Sequence, residues 1–157
     1  MDQLEDVFRV SSLAGLGHII QLALGPVFLL NGIAAILNIL MGRLTRIVDR
    51  AREIEDRFTP RDHPRHAGQV QELRLLDRRM WVVNNAIFTG TASAVVLCTV
   101  VAAMFVAKLA GFGFARTMAV MFALSLVLLV ACLFMFLVEI RMAVRAIRIR
   151  DELLERS

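Results

Sequence analysis

The charged residues of this chain fall in clusters separated by long apolar stretches. No charge lies between Arg9 and Arg43, between Arg79 and Lys108, or between Arg116 and Glu139, which leaves stretches of 33, 28 and 22 residues. A helix crosses the hydrocarbon core of a bilayer with roughly 20 apolar residues, so the pattern predicts three spans. The helical spacing continues past their ends. Leu44, Ile47, Val48, Ala51, Ile54 and Phe58 follow the first stretch, Val70, Leu73, Leu76 and Met80 lead into the second, and Ile140, Ala143, Val144, Ile147 and Leu154 leave the third. Steps of three and four are those of an amphipathic helix. TPRDHPRHAG, residues 59–68, holds Pro60, Pro64 and Gly68 and breaks the pattern. The expected order is helix 1 over 16–58, a turn at 59–66, helix 2 over 67–109, an outer turn at 110–114 and helix 3 over 115–156. The fold class is an all-α membrane protein, its three long helices extending into the cytosol as a bundle.

The first stretch exceeds one perpendicular span, because 33 helical residues measure about 50 Å against a core of about 30 Å. Gly25-Pro26 offers a place to bend, since Pro26 has no N–H for the carbonyl of Leu22. Either helix 1 is kinked and tilted, or residues 1–15 lie along the outer surface with Leu4, Val7 and Phe8 dipping in; the second arrangement, an interfacial segment, is preferred.

Composition sharpens the class. The chain is 58% hydrophobic and 20% charged, against roughly 45–50% and 25% in soluble domains. That excludes a soluble enzyme, a disulfide scaffold and a disordered tail. Cys98 and Cys132 sit at the middle of the second and third stretches, where a thiol is a small packing group. The acidic start, with Asp2, Glu5 and Asp6 against Arg9, does not fit a cleavable signal peptide. Ten arginines lie in segment 43–79 and five after the third stretch. Basic loops stay in the cytoplasm, so the expected orientation is N-out, C-in. The Ala110–Phe114 turn, with Gly111 and Gly113 for the reversal, falls outside, and Trp81 falls at the inner interface. Seven acidic residues reduce segment 43–79 to a net +3, and no aromatic platform is interleaved, so nucleic acid is not an expected partner. Membrane lipid is.

No catalytic constellation is present, and neither enzymatic activity nor a cofactor is expected. His63 and His66 flank Pro64 without further ligands at zinc spacing and read as solvated loop residues rather than a metal site. His18 reads as a packing or headgroup contact. Glu139 ends the third stretch where Arg43 ends the first and Arg79 begins the second. A carboxylate at that depth needs a partner, so an inner-boundary ion pair of Glu139 with Arg43 or Arg79 is expected.

The most informative polar groups are amides. Steps of three and four through helix 1 join Gln21, Leu24, Phe28, Asn31, Ala35, Asn38 and Gly42, then Thr45, Asp49 and Arg52. Every amide of the first stretch is on that seam. A period of 3.5 is what helices of a left-handed bundle present to one another. One reading packs the seam on helices 2 and 3, through Asn85, Thr89 and Ser93. The other surrounds an axis with copies of helix 1, so that the seam lines a polar route. The second makes the chain a homo-oligomeric channel for a small ion or solute, narrowed at Phe28 or Leu24. The first makes it a non-conducting scaffold or interaction protein.

The run GLGHIIQLALGPVFLLNGIAAILNILMGRLTRIVDRAREIE, residues 15–55, resembles the signature of a bacterial family of small uncharacterised membrane proteins that carries a domain-of-unknown-function label. The resemblance implies a three-span protein of the bacterial inner membrane. It brings no activity, substrate or catalytic residue.

Overall fold

The computed structural model describes the backbone of residues 2–110 and 115–146, and side chains chiefly within 24–107 and 116–144. It contains three helices: α1 (Asp2–Asp56), α2 (His66–Ala110) and α3 (Ala115–Ala146). No strand occurs among the described residues. Each helix contains a window long and apolar enough to cross a membrane, within Leu24–Asp56, His66–Ala107 and Arg116–Val144. The chain is thus an all-α, three-span membrane protein. The glycines and phenylalanines of the turn after α2, the side chain of His18, and the tail with Ile147 and Leu154 lie outside the described residues.

α1 is one element of 55 residues, about 82 Å at 1.5 Å per residue. It passes through Gly25-Pro26 and reaches Asp2, beyond the start at residue 16 that the sequence suggests. Its far end stops before the proline-rich segment. There Gln69 fastens the turn: its Oε1 accepts from the N–H and hydroxyl of Thr59 at 3.1 and 2.7 Å, and its Nε2 donates to Arg57 O at 3.0 Å.

α1 and α3 both lie against α2 and scarcely touch each other. The buried positions explain how. On α1 they are Ile33, Leu40, Ile47 and Ile54; on α3 they are Ser125, Cys132 and Glu139. Both lines repeat every seventh residue. α2 carries two such lines, Leu76, Val83, Gly90 and Leu97 beside Ala86, Ser93 and Val100, as a central helix needs when it has a neighbour on each side. Seven-residue spacing keeps one line of a helix on its partner by a slight left-handed supercoil. The α1–α2 interface continues beyond the apolar stretch through Ala51, Ile54, Leu73 and Leu76, so the hairpin extends past the membrane edge as one piece.

α2 comes close to both of its neighbours at Gly90. A Cβ added there would stand 3.0 Å from Leu37 Cδ2 on α1 and 3.0 Å from Cys132 Sγ on α3. Just beyond it, Ser93 Oγ donates to Ser125 O at 2.7 Å, a hydrogen bond that ties α2 to α3 inside the apolar region. Cys132 is buried against Gly90 and Cys98 is exposed, and the two form no disulfide.

Candidate functional site

Two features of the fold concentrate polar chemistry: a charge cluster where the helices leave the apolar region, and the amide seam of α1. The cluster is centred on Glu139, whose side chain is fully buried. Arg43 Nη1 donates to its Oε2 and Arg79 Nη2 to its Oε1, each at 2.7 Å. One carboxylate thereby joins α1, α2 and α3. Its burial is costly, and two short charge-assisted bonds, one to each oxygen, offset that cost. Phe136 adds to it, its ring centroid 5.3 Å from the Arg43 guanidinium carbon, within the range of a cation–π contact. The geometry follows from the spacing: Glu139 continues the Ser125–Cys132 line, which aims it at α2. The cluster carries two positive charges against one negative, and the Arg79 Nε is buried without a partner.

The amide seam lies on the other side of α1. Gln21, Leu24, Phe28, Asn31, Ala35, Asn38 and Gly42 are all exposed, as are Thr45, Asp49 and Arg52 further along. Asn31 and Asn38 each precede a buried residue, Ile33 and Leu40, by two positions. Two positions are about 200° around a helix, so the amides point directly away from the core. The seam therefore does not pack on α2 or α3 of its own chain. Asn85, Thr89 and Ser93 are engaged elsewhere, Asn85 to Trp81 O, Thr89 to Asn85 O and Ser93 to α3. Asn31 and Asn38 have no hydrogen-bond partner among the described residues, whereas Thr45 donates to Met41 O of its own helix. A Cβ at Gly25, Gly32 or Gly42 would meet nothing within 4 Å.

The loop histidines have local roles. His66 Nδ1 lies 2.9 Å from Thr59 O with its ring edge-on to Phe58, and His63 Nδ1 accepts the Arg65 N–H at 3.2 Å. No group of three or more metal-ligating side chains occurs among the described residues.

The family model described as a protein of unknown function, DUF2721, matches residues 23–149. The chain belongs to that family. No curated protein and no solved structure matches it. The DUF2721 match spans the second and third apolar stretches, the first from residue 23 onward, the Glu139 cluster and the seam from Leu24 onward. It begins two residues after Gln21, the first amide of the seam.

Sequence reasoning places Glu139, Arg43 and Arg79 at one level, and the fold brings them together. It does not find Gly90 or the Ser93–Ser125 bond. The signal for Gly90 is present in the spacing of Leu76, Val83, Gly90 and Leu97, but the charge-free part of α2 presents apolar and small residues on every side, and nothing in it singles out one line.

Proposed function

We propose that this DUF2721 protein self-associates through the exposed face of α1 and that the seam lines a passive route for a small ion or solute. The observation that carries the reading is the exposure of Asn31 and Asn38 at membrane depth, turned away from their own subunit. An amide facing lipid without a partner is costly, and polar residues inside membranes face a bundle interior or a water-filled space. Copies of α1 around an axis supply such a space. Asn31 and Asn38 then repeat as two rings about 10.5 Å apart along the helix, offering donors and acceptors to a partly dehydrated species. Phe28, one step away on the seam and 72% exposed, forms an apolar ring able to close the route by dewetting.

The expected test outcome in liposomes is ion or solute flux from the purified protein. Asn31→Leu abolishes it while the oligomer persists, and Phe28→Ala raises it. An oligomer that conducts nothing across ions, pH and voltage, with both substitutions altering assembly instead, identifies a non-conducting scaffold. A monomer in lipid defeats the route and leaves the non-conducting scaffold or interaction protein.

The setting is the bacterial inner membrane with the arginine-rich turn inside, on the positive-inside bias of segment 43–79. Single cysteines at positions 63 and 111, in a Cys98→Ala, Cys132→Ala background, are expected to react with an impermeant maleimide in intact cells only at 111. Reaction at 63 alone reverses the orientation.

A further inference from the structure

We propose that the cleft between α1 and α3, beside the Glu139 cluster, is a binding site for the phosphate of an anionic phospholipid. A cavity of about 350 Å³ opens there, lined by Arg43, Arg46, Arg50 and Arg79 and, among the described residues, by no Asp or Glu. The rest of its wall is apolar, formed by Ile47, Leu76, Ile140, Ala143 and Val144. An anion with an attached hydrocarbon chain matches both the basic and the apolar residues of this wall; a free phosphate uses only the basic ones.

The level of the cavity agrees with a headgroup. Arg43, Arg79 and Glu139 end or begin the three charge-free stretches and meet in one cluster, which marks the edge of the hydrocarbon. Arg46 is one turn further out, about 4.5 Å along the axis, where lipid phosphates reside. Basic pockets between spanning helices on the cytoplasmic side are recognised sites for anionic headgroups.

Charge accounting points the same way. Arg43 and Arg79 share the single carboxylate of Glu139. Arg50 is matched by Glu53 and Glu72, each at 2.9 Å. Arg46 makes no ion pair among the described residues and is exposed. The wall is left with a positive surplus at Arg46 and at the Arg43–Arg79 pair. Arg46 is on α1 and Arg79 on α2, so a phosphate held between them ties those two helices, while a hydrocarbon chain on Ile140 and Val144 reaches α3, which scarcely touches α1.

The site is independent of whether the protein conducts. Its test uses the full chain in mild detergent, with native mass spectrometry for bound lipid and thermal unfolding for its effect. Phosphatidylglycerol is expected to be retained and to raise the unfolding temperature, and phosphatidylcholine to do neither. Arg46→Gln leaves the Glu139 cluster and the Arg50 bridges intact, so it folds. It is expected to bind phosphatidylglycerol about tenfold more weakly, the loss of one hydrogen bond to a charged group. Arg78→Gln, in a separate groove between α2 and α3 that also holds Arg141, is expected to bind as the parent does. Equal losses in the two variants would reduce the effect to a diffuse basic belt and overturn the site. So would equal retention of phosphatidylcholine. Equal stabilisation by millimolar inorganic phosphate alone would make it a small-anion site instead and overturn the lipid assignment.

Discussion

Replacing Glu139 by alanine is expected to lower the free energy of unfolding by about 3–5 kcal/mol, the cost of removing one partner from a buried ion pair. The substitution leaves two guanidiniums facing one another at the edge of the hydrocarbon. Arg43, with a third of its side chain exposed, is free to turn toward the headgroups; Arg79, only 17% exposed, is not. Arg79→Ala should therefore cost more than Arg43→Ala, because it strips the carboxylate of its less hydrated partner. Glu139→Gln keeps one acceptor oxygen and falls between the parent and the alanine variant. Reversible unfolding in bicelles, with a double-mutant cycle on Glu139 and Arg79, measures the coupling directly. A Glu139→Ala protein within about 1 kcal/mol of the parent, the scale of an exposed salt bridge, would show that the cluster does not fasten the three helices.

The second large effect belongs to Gly90. A Cβ there already stands 3.0 Å from atoms of α1 and α3, and a leucine adds three more carbons where none fit. Gly90→Leu is expected to destabilise by the upper end of the 1–3 kcal/mol typical of overpacking, or about 3 kcal/mol. Gly90→Ala should cost less, because the Leu37 methyl is the end of a flexible side chain and yields. Leu37→Ala should recover part of the Gly90→Leu loss, since the two residues are in contact and their effects are not additive. Gly32 supplies the contrast. It has open space around its Cβ position, so Gly32→Leu should leave the unfolding of one subunit unchanged. If Gly32→Leu alters the oligomeric state while Gly90→Leu alters stability, the two faces of the molecule are separated experimentally. If Gly90→Leu unfolds like the parent, the three helices do not pack at that level as described.

Much of this protein is determined by its sequence alone, and the reason is the cost of charge in hydrocarbon. The absence of charge between Arg9 and Arg43, Arg79 and Lys108, and Arg116 and Glu139 dictates three spans. It also dictates that Arg43, Arg79 and Glu139 share one level, so their pairing was legible before any coordinate. The seam of Gln21, Asn31 and Asn38 was legible for the same reason, because amides stand out where all else is apolar. Which way the seam turns was not. In water, the apolar side of a helix identifies its buried side. In lipid, hydrocarbon tails are as apolar as leucine, so Ile33 and Leu40 carry no mark that sets them apart from Ile39 or Val27. Only the packed structure decides that the Ile33–Leu40 line faces α2 and that Asn31 and Asn38 point outward. The same holds for α2. Its central place depends on fitting a neighbour along each of two lines, with Gly90 as the gap that admits Leu37 and Cys132. That is a property of volumes meeting in space, and a hydropathy pattern along one chain does not encode it.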